Sequence, residues 1–490
     1  MTLADLLDNG PTEPVHLVDR TVPRDELTAL RDEIAVALTG LDMQSGHIAA
    51  VMLGNTSSTI ATLFGVWSAR GVYAPLNPRA ADPEITSQLE TLGPLVVITD
   101  AALAPRFDVH RAAGLHLVVV DGDTVTAHPS DAATPAPPRF DDDVALLQFT
   151  SGTTGRPKPV PLRHSTVLDL VDRLQARLRG RKSGEKSSAP STPMPNLVPL
   201  SLSLWAGIYQ VIFAFRAGAG VVLMDRFEPV EFATLVRRHG IRSTVLPPAA
   251  LTMTVQSEEV TDLAPLRIVR SITAPLSPVV ARRFYEKFGV MVLNSYGQTE
   301  LGGEVVGWSA ADSREFGADK IGSVGRPLPG IEVRIDEGEV VVRTPSTAAG
   351  RVDSSLLDRL AEGGWFHTGD LGWLDEDGFL WLDGRVSDMI NRGGLKVFPG
   401  VVEDVLLACD GVADAAVVGV PDERVGELPW GFVVRSTADV DEAAVTQWCR
   451  DHLTPYRVPA RLVFVDELPR NDVGKVLKRE LSALAETMLA

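Results

Sequence analysis

Between Leu147 and Leu162 the chain reads LQFTSGTTGRPKPVPL, a run of residue types suited to an anion. Thr150, Ser151, Thr153 and Thr154 offer hydroxyl donors, Gly152 and Gly155 let backbone N–H groups approach with no Cβ in the way, and Lys158 adds a point charge. The order is not that of a Walker loop, in which lysine directly follows the second glycine; here Arg156 and Pro157 intervene. Lying between an apolar run and an expected helix, the segment could cradle phosphate or could be a surface turn, since Gly, Ser and Thr crowd into both.

Four later clusters also carry chemistry. They are Tyr296-Gly297-Gln298-Thr299-Glu300, Trp365-Phe366-His367-Thr368-Gly369-Asp370, Gly384-Arg385-Val386-Ser387-Asp388 and Pro469-Arg470-Asn471-Asp472-Val473-Gly474-Lys475. With the first loop, this ordered set resembles the adenylate-forming superfamily of acyl-CoA synthetases, adenylation domains and luciferases. The resemblance spans residues 45 to 480. The stretch GGWFHTGDLGWLDEDGFLWLDGRVSDMINRGG is most similar to the acyl-CoA synthetases.

That resemblance implies an ATP-dependent acid–thiol ligase. A carboxylate is a poor electrophile, and joining it to AMP removes its charge and supplies a leaving group. Charge builds on the phosphoryl oxygens during that displacement, so the site needs prepositioned donors, a cation and a metal held by a carboxylate. By resemblance, Thr150, Ser151, Gly152, Thr153, Thr154 and Lys158 cradle pyrophosphate, Thr299 touches phosphate and Glu300 holds Mg²⁺. Tyr296 stacks on adenine, Asp370 takes the ribose hydroxyls, and Arg385 reaches ribose or phosphate. Ala274, Pro275, Asn294, Ser295 and Gly297 complete the nucleotide surface, and Lys475 bridges the substrate carboxylate and α-phosphate. His367, Trp365, Trp373 and Trp381 are expected to be structural.

The family's C-terminal domain rotates between half-reactions, first bringing in Lys475 and then the Arg392-Gly393-Gly394 loop, past which the pantetheine arm of CoA would run. By position the pivot is Ser387, where the family usually has Asp or Lys. Expected partners are therefore a small carboxylic acid, ATP and CoA, with Mg²⁺ as activator. An acyl-AMP ligase loading a carrier protein, or a ligase using preformed acyl-AMP, is the alternative.

The pattern is broken in four places. Pro159 follows Lys158 where glycine is usual and removes a backbone donor. Ser271-Ile272-Thr273-Ala274-Pro275 stands where small glycines line the nucleotide and acyl sites, so Ile272 should narrow the latter. Pro199 to Trp205 replaces an aromatic and a histidine that commonly gate the acyl pocket; Leu202, Leu204 and Trp205 there favour an apolar acyl group over a short dicarboxylate. Gly400 and Val401 replace the usual acidic start of a C-domain helix.

The elements that must position these residues follow from periodicity. Leu27, Leu30, Ile34 and Leu38 are spaced for a helix, Ile48 to Leu53 reads as a buried strand, Thr59 to Arg70 as a helix, and Val72 to Leu76 and Leu95 to Thr99 as strands. After the loop the rhythm recurs, with helices at Trp205 to Phe215 and Pro229 to His239 and strands at Val221 to Met224 and Ser243 to Leu246. This predicts an α/β protein whose large N-terminal domain, residues 1–383, holds two similar α/β lobes and a small β-rich region containing a hairpin around Asp336-Glu337-Gly338. A mobile α+β C-terminal domain, 384–490, follows, with helices over Pro399 to Cys409 and Asp441 to His452. His128 to Pro138 and Gly180 to Pro195 read as surface loops.

Bulk properties narrow the field. The 490 residues include 46 basic and 64 acidic ones, a formal charge of −18 that gives no footprint for nucleic acid or anionic lipid. Two cysteines, Cys409 and Cys449, make neither a disulfide framework nor a zinc site. The acidic start MTLADLLDNG does not suit a signal peptide, and residues 187 to 215, though uncharged, are too rich in proline and serine for a membrane span. The expected location is the cytoplasm.

Overall fold

The computed structural model describes residues 2–9, 13–18, 20–132, 136–150, 158–179, 193–348, 354–436, 440–471 and 474–489. The buried runs predicted as strands in the first lobe form the parallel centre of a seven-stranded sheet. Across it the order is Thr124–His128, His116–Asp121, Val96–Thr99, Ile48–Met52, Val72–Pro75, Val144–Thr150 and Lys158–Arg163. Both edges are antiparallel. Crossover helices Ser57–Ser68 and Asp82–Leu92 complete the lobe; the first is capped by Thr56, whose hydroxyl accepts from the Thr59 amide.

A strand, Lys158–Arg163, closes the glycine-rich loop, and the expected helix follows it from His164 to Arg179. Pro159 and Pro161 are accommodated because Lys158–Arg163 is an edge strand, where a missing N–H costs no ladder bond on the outer side.

The second lobe carries three parallel strands, Ser243–Leu246, Ile268–Ser271 and Met291–Asn294. A four-stranded sheet lies next to them, ordered Asn196–Val198, Val221–Leu223, Val15–His16 and Thr21–Val22. The Thr244 hydroxyl donates to Leu197 O (3.0 Å) and joins the two. Val15 pairs with Val221, so a strand from the start of the chain completes the second lobe, which periodicity did not show. Asn55 ties the lobes together from the first: its Nδ2 donates to Leu200 O (3.1 Å) and Met224 O (2.8 Å), and its Oδ1 accepts from Leu202 N (2.7 Å). The core is filled by side chains such as Phe64, Phe232 and Phe284, each contributing about 1.5–3 kcal/mol when fully buried.

A β-rich region follows, built on Glu332–Asp336, Glu339–Arg343, Trp365–Leu374 and Leu380–Arg385. Its last strand pairs Arg385 with Asp370, so residue 384 lies within this sheet and the C-terminal sheet starts only at Ile390. The C-terminal sheet, with Val412–Asp422 and Gly426–Arg435 at its heart, is packed by helices Pro399–Ala408, Glu442–His452 and Lys478–Leu489. The 399–408 helix also buries Val402 and Leu406 in one apolar cluster with Val280 and Ala281 of the second lobe. Arg283 donates to Leu407 O (2.7 Å) and Gln256 to Ala413 O (3.1 Å) across this contact.

Candidate active site

Asp370 is the centre of the site. The Trp365–Leu374 strand alternates buried and half-buried positions, and this register sends Asp370 inward, where it is 6% exposed. The Tyr296 hydroxyl (2.7 Å) and Gln298 Nε2 (2.6 Å) donate to Asp370 Oδ2, and Arg385 Nε donates to Oδ1 (3.0 Å). Gln298 also donates to Thr368 O (2.9 Å). Burial and the adjoining Asp370 charge raise the Tyr296 phenol well above its ordinary pKa, so it remains a donor. Burial opposes the charge on Arg385, but Asp370 and Asp388 outweigh it and raise its pKa.

Glu300 sits in a short turn, Thr299–Leu301, directly after the Tyr296–Gln298 strand. Arg359 reaches it at 3.4 Å. The same guanidinium donates to Thr368 O (2.7 Å), His367 O (2.9 Å) and Gln298 Oε1 (3.2 Å). Among the described residues no group of three His, Cys, Asp or Glu is placed to hold a metal. A single carboxylate nevertheless suits Mg²⁺, which keeps water and phosphate oxygens among its ligands.

Lys475 comes from the C-terminal domain. Its backbone is fixed by the turn in which Asn471 Oδ1 accepts from the Lys475 amide (2.9 Å) and Gly474 adopts φ +74°. The charges of Arg385, Asp388 and Asp370 act on its ammonium, and burial and then Arg385 lower its pKa. A β-carbon at Gly474 would collide with Ala249 of the second lobe, so the turn is packed against the N-terminal domain. Lys475 therefore shares one site with Asp370 and Arg385.

Thr150 and Lys158 are partners across the strand pair that closes the glycine-rich loop, which places both at its mouth. Ser151, Gly152, Thr153 and Thr154 lie outside the described residues. Asn294 and Ser295 are buried at the end of the third parallel strand, Gly297 is exposed, Ala274 is half-buried and Pro275 exposed. Ser387 lies exposed between the domains and donates to its neighbour Asp388 (2.9 Å). The Arg392-Gly393-Gly394 loop is not brought to the site: Arg392 donates to Tyr456 O (2.8 Å) and Gly393 to Val425 O (2.6 Å), both within the C-terminal domain. Leu202 is in the core, Leu204 and Ile272 are half-buried, and Trp205 opens the helix Trp205–Ala217. His367 Nδ1 is bound to Glu339 (2.8 Å), Trp373 stacks on Trp381 at 5.5 Å, and Trp365 lies under Arg334 and Arg343.

Sequence reasoning assigned no role to Gln298, Arg359, Arg270 or Glu304. Gln298 was within a motif already singled out. Arg270 and Glu304 are charged residues inside the apolar strands Ile268–Ser271 and Gly303–Gly307, a mismatch that could have flagged them. No local signal marks Arg359.

Comparison with known proteins agrees with this geometry. The profile of AMP-binding enzymes matches residues 12–350, and that of the AMP-binding enzyme C-terminal domain matches 401–475. The long-chain-fatty-acid–CoA ligase FadD13 of Mycobacterium tuberculosis is 30% identical over 480 residues, covering 93% of this chain and 92% of that protein. A 3-(7a-methyl-1,5-dioxo-octahydro-1H-inden-4-yl)propanoyl:CoA ligase of the same species is 33% identical over 496 residues, 93% of each chain. ATP-bound MatB from Rhodopseudomonas palustris superposes with a TM-score of 0.85 over 100% of both chains at 25% identity. Among the described residues no helix is long and apolar enough to cross a membrane. With both profiles matched in order and relatives aligned end to end, the chain belongs to the AMP-binding enzymes of the adenylate-forming superfamily.

Proposed function

We propose that the chain is an AMP-forming acyl-CoA ligase and that its domains are arranged here for the first half-reaction. In that step a carboxylate oxygen attacks the α-phosphorus of ATP, the bond to the β-phosphate bridging oxygen breaks, and pyrophosphate leaves. In the second, the CoA sulfur attacks the acyl carbon, the bond to AMP breaks, and the thioester forms. The observation that carries this reading is the gathering of Lys475 with Arg385 and Asp370 while the Arg392-Gly393-Gly394 loop is held elsewhere.

The roles follow from position. Asp370, already an acceptor for three donors, can exchange one of them for ribose hydroxyls. Lys475 and Arg385 supply the local positive charge that a chain of net −18 must concentrate at a phosphate site. Glu300 would hold Mg²⁺, which neutralises phosphate charge when bound. Val386–Asp388 serves as the pivot, between a strand of the N-terminal region and the first strand of the C-terminal sheet. The relatives named for CoA ligases favour CoA over a carrier protein as acceptor. Acid-dependent exchange of pyrophosphate into ATP, followed by CoA-dependent thioester release, tests the assignment. Exchange without any CoA thioester would move the acceptor to a carrier protein.

A further inference from the structure

The carboxyl ends of the three parallel strands hold a buried polar cluster that shares Ser295 with the nucleotide surface and extends away from it to Trp205 and Tyr209. Ser271 ends the middle strand, and Ser295 follows the third; the Ser295 amide donates to Ser271 O (2.9 Å). Glu304 pairs in register with Gly297, between Tyr296 and Gln298. Arg270, half-buried, forms an ion pair with the buried Glu304. Tyr209 feels the charges of both, and its ring meets Trp205 at 5.4 Å. A β-carbon at Gly303 would stand 3.5 Å from Tyr209 Cε2 and 3.7 Å from Trp205 Nε1, and one at Gly307 would collide with Glu304 Oε1 and lie 3.6 Å from Ser295 Oγ. These groups are therefore contiguous.

Their hydrogen bonding is incomplete. Trp205 Nε1, Tyr209 Oη, Ser271 Oγ, Ser295 Oγ and Glu304 Oε1 have no partner among the described residues, and each of these residues is at most 9% exposed. An unpaired buried polar group is destabilising, and such groups at the carboxyl ends of parallel strands are where an open α/β sheet receives its ligand. Indole N–H is a donor only, so what meets it must present an acceptor. The charge count selects further. Arg270 is already neutralised by Glu304, so a second carboxylate would add an uncompensated negative charge beside Glu304, and an ammonium an uncompensated positive one beside Arg270.

We infer that the acid activated here carries a neutral oxygen, keto or hydroxyl, on an otherwise apolar body, and that Trp205, Tyr209 and Glu304 select it. This rests on the ligase reading above. The test is acid-dependent ATP–pyrophosphate exchange with cyclohexanepropanoate, its 4-oxo, 4-hydroxy and 4-carboxy derivatives, and octanoate. The oxo or hydroxy acid should exceed the parent in kcat/KM by at least about tenfold, as expected when a site built for a hydrogen bond meets an analogue lacking it, and the 4-carboxy acid should fall below the parent. A higher value for the hydroxy than for the oxo acid would identify a group that also donates to Glu304. Trp205→Phe and Tyr209→Phe should bring the oxygenated-to-parent ratio towards one, a readout independent of how much variant folds. Exchange that is equal or faster with the parent, octanoate or the dicarboxylate overturns the inference and leaves the ligase reading standing. Exchange with none of the acids overturns the ligase reading, and this inference with it.

Discussion

Arg359 and Glu300 face one another at 3.4 Å, so the carboxylate proposed to hold Mg²⁺ already has a protein cation beside it. Metal and guanidinium then compete for one negative charge. The pair is partly exposed and worth about 0.5–1 kcal/mol, so Arg359→Ala should lower the Mg²⁺ concentration for half-maximal exchange by roughly two- to fivefold. Because Arg359 also holds the carbonyls of His367 and Thr368 next to Asp370, the maximal rate should fall as well. A Mg²⁺ titration of exchange separates the two effects, and a higher Mg²⁺ requirement would refute the competition.

In the proposed first half-reaction Lys475 contributes a charge that matters only as the α-phosphate becomes more negative. Lys475→Ala should cost on the order of 10²-fold or more in acyl-AMP formation. Thioester formation from supplied acyl-AMP should survive, because in the proposed cycle that half-reaction uses the other domain arrangement. Equal losses in both assays would contradict the role.

Ser387 is exposed and its hydroxyl bonds to the adjacent Asp388, so replacing it removes little stabilisation. Proline fixes φ near −65° and takes away one of the torsions through which the C-terminal domain can turn. Ser387→Pro should keep adenylation and lose thioester formation by an order of magnitude or more, measured as single turnovers of each step. A normal overall rate would move the pivot to a neighbouring residue.

Asp404 adds a pH dependence to domain docking. It lies on the 399–408 helix; burial raises its pKa from 3.8 to about 6, a bond from Ser277 of the second lobe pulls it partly back, and Glu403 adds to the rise. The docked arrangement thus binds the proton more tightly than the undocked one. Docking is fully favoured below the ordinary value and weakens as pH climbs towards 6, where Asp404 ionises in place. The docked fraction, followed by energy transfer between dyes on the two domains, should fall as pH rises from the ordinary value of 3.8 to about 6, and Asp404→Asn should remove most of that slope. An identical slope in the variant would assign the effect to another group.

The motif residues were legible because each occupies a short local pattern, and the fold brings Tyr296, Asp370, Arg385 and Lys475 together from four separate segments. Arg359, Arg270 and Glu304 were not, because their importance lies in partners tens of residues away, which periodicity does not encode. Strand and helix cores such as Pro229–His239 and Ser243–Leu246 matched their hydrophobic spacing. The strand Lys158–Arg163 escaped because Pro159 and Pro161 argue against a strand unless one edge is known to be free.

The pairing of Val15 with Val221 also has a consequence for biosynthesis. The early strand is translated 206 residues before its partner, the difference between the two positions. At the usual ~5–20 residues per second it waits roughly 10–40 s on the ribosome with only the Thr21–Val22 hairpin to cover one edge. Its other edge stays open to foreign strands for that interval. The first lobe's sheet lacks this strand and can close while translation continues, whereas the four-stranded sheet of the second lobe is completed only when Val221–Leu223 emerges and takes the tethered strand back.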